Sequence, residues 1–215
     1  MILFYASGAS SQAPHILFRE AQLPVRLERV DLATHLYEGG DYRKITPKSY
    51  VPALLLDDGE VLTECAVILQ FIADLVPEQQ LMPEIGTTER YHALEWLNFI
   101  ATELHKNFIT PERHGGVAAN FLSKTLAGQA ETRLHVSPRL AYVDHWLEGR
   151  PFLMGERLTA PDAYLFTILT WARRLSIELA QWPNLFAFFE HMMVRPTVQE
   201  ALALEGKPHT LLENG

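Results

Sequence analysis

A single cysteine, Cys65, stands in 215 residues. No disulfide can form within the chain, which is the expectation for a reducing compartment. Basic residues are scarce: 18 Lys and Arg against 26 Asp and Glu give a net charge of −8. A general nucleic-acid binder needs the opposite balance, because Lys and Arg must displace phosphate counterions, so no nucleic-acid partner is expected. Long apolar runs are missing. The longest, Ala163 to Ala172, contains Thr167 and Thr170 and falls well short of the ~20 residues that span a bilayer, so no membrane partner is expected. The first Lys or Arg is Arg19; without a basic leader a secretory signal is not expected, and the reading is a cytoplasmic protein. The nine histidines show no H-x-x-x-H spacing and have no second cysteine to work with, so no metal is expected. There is no G-x-S-x-G elbow, phosphate loop or dinucleotide fingerprint.

What is present is a globular mix, 48% hydrophobic and 20% charged, in two halves of different period. The first ~75 residues alternate short apolar runs with helical runs. A strand is expected at Ile2 to Ala6, a helix at about Ser11 to Ala21, and a second strand at Val25 to Leu32. Thr34 to Thr46, with Gly39-Gly40, reads as irregular with at most one helical turn. Ala53 to Asp57 and Glu60 to Thr63 flank Asp58-Gly59, a strong hairpin signal. Glu64 to Leu75 then reads as a helix. Pro77, Pro83 and Gly86 mark a linker, and the remainder reads as helices near 88–109, 117–147, 161–178, 183–192 and 196–204, the second open to a break near Ser137-Pro138. The expected division is an α/β domain over 1–77, a linker over 78–87 and an all-α domain over 88–215.

Several residues are candidates for chemistry, each beside a plainer role. Val51-Pro52 precedes a strand. A cis bond there would leave the Val51 backbone to pair with an extended ligand, and a trans proline would simply start the strand. Glu64-Cys65 opens a helix directly after a strand, where unpaired amides attract a carboxylate; alternatively Glu64 only favours its own helix dipole. Cys65 is either a thiol activated at a helix start or a small buried filler. Ser10 or Ser11 is a natural N-cap, and the same hydroxyl could hold a thiolate or oxyanion. Asn98, Thr102 and His105 share one stripe if the helix keeps 3.6 residues per turn, reading as a cleft edge or an exposed face. Thr159 and Asp162 form a capping box with Pro161 in the first turn, a structural signal.

Taken in order, these pieces resemble the glutathione transferase family, and most its bacterial beta class. The resemblance rests on Tyr5-Ala-Ser-Gly-Ala-Ser-Ser-Gln-Ala-Pro-His15, Val30-Asp-Leu-Ala-Thr34 and Lys48-Ser-Tyr-Val-Pro-Ala-Leu54. It continues through Asp58-Gly-Glu-Val-Leu-Thr-Glu-Cys-Ala-Val-Ile-Leu69, Leu97-Asn-Phe-Ile-Ala-Thr-Glu-Leu-His-Lys106 and Leu158-Thr-Ala-Pro-Asp-Ala-Tyr-Leu165. It implies a thioredoxin-like N-terminal domain with a cis-proline, an all-helical C-terminal domain and a homodimer. It implies glutathione as co-substrate, with no other cofactor, and a small hydrophobic electrophile. Val51, before cis-Pro52, would pair with the cysteinyl part of glutathione. Glu64 and the Cys65 amide would hold the γ-glutamyl end. His35 would stand where the family often has lysine, near the glycyl carboxylate. Asn98, Glu103 and His105 would line the site, some of them across the dimer; Thr102 is supported by the stripe alone.

The chain departs from the resemblance at Ser10, where beta-class members usually have cysteine. A serine cannot form a mixed disulfide, but its hydroxyl can donate to a bound thiolate. The implied chemistry is therefore thiolate activation by Ser10 and helix amides, with His105 positioning the thiol or acting as a base. Tyr5 and Ser11 are lesser donor candidates. A glutathione-binding protein with little turnover and a reductase using Cys65 are the rival readings.

Overall fold

Period-two alternation along the first strand sorts the layers: Leu3 faces a core shared with the helices, and Phe4 faces a second core with Val30, Tyr42, Val51 and Ala53. The computed structural model describes residues 1–109, 122, 123 and 125–206. β1 (Ile2–Tyr5) leads through α1 (Gln12–Glu20) to β2 (Arg26–Arg29), which pairs with β1 in parallel. Two-residue strands β3 (Leu36–Tyr37) and β4 (Gly40–Asp41) form a small hairpin. β5 (Ala53–Leu55) and β6 (Val61–Thr63) follow, antiparallel to each other, and β5 is antiparallel to β1. The four-stranded order is β2-β1-β5-β6. Gly59, with φ 93, makes the turn that Asp58-Gly59 announces. α2 (Cys65–Asp74) then packs against α1.

The rest is helical: α3 (Thr88–Phe99), a π-helical stretch Ile100–His105, α4 (Lys106–Phe108), α5 (Leu126–Trp146), α6 (Ala160–Arg174), α7 (Pro183–Met193) and α8 (Pro196–Glu205). This is the thioredoxin-like plus all-α architecture that the resemblance implies. α6 is buried from Ala160 through Leu169, as a helix at the centre of a domain must be. Asp162 anchors its start. Its carboxylate, fully buried, accepts from the Thr159 amide and hydroxyl at 2.7 Å each and from the Leu153 amide at 2.8 Å. Burial nevertheless pushes Asp162 up to about 6. Among the described residues no helix is long and apolar enough to cross a membrane.

Three expectations need correction. The helix expected to run to 178 stops at Arg174, because Ser176 takes φ 54 and turns the chain out of the helix. The helix expected from 117 begins, within the described residues, at Leu126, where the Thr125 hydroxyl accepts from the Gly128 amide at 3.1 Å; residues 117–121 lie outside the described residues. That helix continues past Pro138 without a break, since one proline deprives only the Leu134 carbonyl of its donor. Between Thr34 and Thr46 the expected helical turn is the 3-10 turn Tyr42–Lys44, and the β3–β4 hairpin beside it has no clear sequence signal.

Candidate active site

The loop from β1 to α1 is held from the helical side. Gly8 sits at φ 67, a conformation that suits glycine. Its amide donates to the Glu205 carboxylate at 3.2 Å, and its carbonyl accepts from the Trp171 indole at 2.8 Å and from Arg174 at 3.2 Å. Glu205 is itself paired with buried His15 at 3.0 Å. This clamp fixes where α1 begins and therefore where Ser10 lies.

Neither serine caps α1. Ser11 occupies the N-cap position without a side-chain cap bond; its hydroxyl accepts from the Ala6 amide at 3.2 Å and donates to the Ala6 carbonyl at 3.3 Å. The Ser10 hydroxyl donates instead to the Val51 carbonyl at 3.1 Å. The Val51-Pro52 bond is cis, so of the two readings open from the pattern the structure has the one that the resemblance implies.

Opposite Val51, α2 opens with Glu64 at φ 70 and ψ 119, a conformation costly for a side-chain-bearing residue and found where ligands are held. The Lys48 ammonium reaches the Glu64 carboxylate at 2.7 Å and the Thr63 hydroxyl at 3.0 Å. Cys65 is 6% exposed, and its thiol donates to the Ser10 carbonyl at 3.5 Å. Burial, with the Glu64 charge, pushes this thiol well above its ordinary value. It stays protonated at neutral pH and is a poor nucleophile.

From the helical side comes His105, whose Nδ1 lies 2.6 Å from the buried Tyr164 hydroxyl and whose ring meets Trp171 edge-on at 4.9 Å between centroids. These groups line one cleft of about 270 Å³ between the two halves. Lys48, Thr63, Glu64 and Lys106 bring polar groups to its lining, and Leu32, Tyr50, Ala101, Ile109 and Trp171 bring most of its apolar surface. A mostly apolar hollow with a few convergent polar groups is the usual form of a small-molecule site.

Of the expected residues, Ser10, Val51, Pro52, Glu64, Cys65 and His105 line this cleft. His35, Asn98, Thr102 and Glu103 do not line it within one chain. His35 sits at φ 57, its amide bonded to the Asp31 carbonyl at 2.8 Å. Glu103 pairs with Arg139 at 2.8 Å, and the Thr102 hydroxyl turns back to the Asn98 carbonyl at 3.0 Å. The stripe is broken because the chain is π-helical over Ile100–His105. Wider turns rotate later residues relative to a 3.6-residue repeat, so His105 enters the cleft while Asn98 and Thr102 stay exposed. Lys48, Lys106, Tyr164 and Trp171 were not singled out from the sequence. Lys48, Lys106 and Tyr164 lie inside the quoted motifs, but nothing in their spacing marks them. Among the described residues no cluster of three or more His, Cys, Asp or Glu could hold a metal.

Two family models match the chain: the glutathione S-transferase N-terminal domain over residues 9–75 and the C-terminal domain over 121–196. A protein named glutathione S-transferase GstA, from Escherichia coli O157:H7, is 41% identical over 213 residues, covering 96% of this chain and 99% of its own length. Among solved structures, a bacterial beta-class glutathione S-transferase from Sphingomonas chungbukensis and a sphingomonad glutathione S-transferase complexed with glutathione are similar. Each is 36% identical with a TM-score of 0.86, over 96% of this chain and 99% of the other.

Proposed function

Because the chain belongs to the glutathione S-transferase family, we propose that it conjugates the thiolate of glutathione to small hydrophobic electrophiles. The observation that carries this reading is the meeting of Ser10, the Val51 backbone before cis-Pro52, and the start of α2 at one cleft. The Val51 backbone would pair with the cysteinyl residue, and Glu64, the Cys65 amide and Lys48 would hold the γ-glutamyl end. A ligand amide bonded to the Val51 carbonyl would release the Ser10 hydroxyl from its present acceptor. That hydroxyl would then donate to the sulfur. An ordinary thiol, with a pKa near ~8.5, is mostly protonated at neutral pH, so a donor aimed at the sulfur raises the reactive fraction. The thiolate would attack an electrophilic carbon held against the apolar lining, the new C–S bond forming as the carbon–halogen bond breaks and halide leaves, or as the π pair of an activated double bond moves away and is protonated. In this reading residues 1–77 bind glutathione, 78–87 link, and 88–215 form the electrophile side.

Asn98, Thr102 and Glu103, which do not line the cleft of their own chain, would act on the partner subunit of a homodimer. His35 would approach the glycyl carboxylate only on ligand binding. The buried, protonated thiol of Cys65 disfavours the reductase reading. Retention on immobilised glutathione together with conjugation of a chlorinated nitroaromatic supports the transferase. Retention without conjugation shows a binding protein, and failure to bind removes both readings.

A further inference from the structure

We propose that Tyr164 is a positioning residue that fixes the proton of His105 on Nε2, so that the imidazole serves the cleft as a hydrogen-bond donor and not as a base. What the donor would serve rests on the transferase reading above; the tautomer does not. His105 Nδ1 lies 2.6 Å from the Tyr164 hydroxyl, at the short end of the hydrogen-bond range. The contact is enclosed. Tyr164 is 2% exposed, and the His105 ring meets Tyr164 at 5.8 Å and Trp171 at 4.9 Å between centroids, both edge-on.

A phenol has one proton to give. Burial, with the nearby Cys65 and Glu64, pushes the Tyr164 hydroxyl well above its ordinary value, so it remains a donor throughout the neutral range. Two acceptors compete for that proton, His105 Nδ1 and the Cys65 sulfur. The imidazole nitrogen is the stronger, because thiol sulfur accepts weakly. The Cys65 thiol in turn sends its own proton to the Ser10 carbonyl. A neutral imidazole that accepts at Nδ1 carries its hydrogen on Nε2. Such a ring can donate to an anionic sulfur but cannot remove a proton from a thiol. On this account the proton of bound glutathione leaves to water, and His105 joins Ser10 in stabilising the anion that remains.

The test is a long-range proton–nitrogen correlation spectrum of the parent protein labelled with ¹⁵N-histidine, without substrate. It is recorded well above the ~6.5 of an ordinary imidazole, so that the neutral forms are read. His105 is identified by the signals lost in His105→Gln. The expected result is a protonated Nε2 and a bare Nδ1; a protonated Nδ1 overturns the proposal. In Tyr164→Phe the single-tautomer signature should be lost, and kcat for conjugation should fall about 2- to 12-fold with the KM for glutathione little changed. An unchanged tautomer in that variant also overturns it. If the parent shows the Nε2 tautomer but no conjugation, the transferase reading fails alone. If it shows conjugation with a protonated Nδ1, this proposal fails alone.

Discussion

The Ser10 hydroxyl donates to the Val51 carbonyl across 3.1 Å, joining the start of α1 to the residue before the cis-proline. Both partners are groups that a cysteinyl ligand would use. An extended ligand that takes the Val51 carbonyl leaves the Ser10 proton free to turn to sulfur.

Ser10→Ala should therefore lower conjugation by about 10- to 150-fold. That is the range for losing one hydrogen bond to a charged group when the bond acts on the thiolate and the transition state. Steady-state rates with a chlorinated nitroaromatic check this. A fully active variant would mean that the serine is not the thiolate donor. Tyr5 and Ser11 are poor substitutes, since neither lines the cleft and the Ser11 hydroxyl is committed to Ala6.

Cys65→Ser should keep most of the conjugating activity, because the backbone amide at that position is retained. The thiol of the folded parent should react slowly with thiol reagents near neutral pH, being 6% exposed and held protonated by burial. Loss of activity with binding preserved would revive the reductase reading.

Asp162→Ala should destabilise the chain by at least about 2 kcal/mol, since the Thr159 and Leu153 amides lose a buried acceptor. The pH dependence has a definite sign. Asp162 stands at about 6 in the folded protein against an ordinary 3.8. Its folded pKa is raised, so its contribution is fully present below 3.8 and is lost as the pH rises through about 6. Denaturant unfolding between about pH 4 and 7 should show this fall in the parent and lack it in Asp162→Asn.

Sedimentation at micromolar concentration should give about twice the 24.4 kDa chain mass. A dimer of chains carrying −8 each must rest on apolar surface. α3 offers Tyr91, 62% exposed, and α5 offers Tyr142, 51% exposed. A mass of one chain would also remove the trans-subunit roles left to Asn98, Thr102 and Glu103.

Local signals were legible where one residue type forces one geometry. Asp58-Gly59 gave its hairpin turn, and Asp162 its reach back to Thr159. The short apolar run from Ile2 to Ala6 gave a buried strand, and Leu3 and Phe4 are indeed covered on opposite faces. Val51 and Glu64 stood out as a strand start and a helix start that face the same cleft, but the pattern alone left a cis bond and a ligand contact no better than a plain structural role; only the resemblance pointed to them. The site was hidden where tertiary packing decides. The π-helical stretch Ile100–His105 shows no proline or glycine, yet it separates His105 from Asn98 and Thr102. Ser10 and Ser11 looked like caps, because capping is what isolated helix starts do. The cis-proline and the Ala6 loop, distant or folded back in sequence, redirect both hydroxyls.

If the cleft ionises glutathione with help from Ser10, the bound thiol must titrate below the free one. The most direct measurement is a pH titration of thiolate absorbance for glutathione bound to the parent and to Ser10→Ala. The expected midpoint in the parent lies below that of the free thiol, near ~8.5, and shifts upward in the variant. Equal midpoints in the two proteins, or a parent midpoint no lower than that of free glutathione, would contradict it.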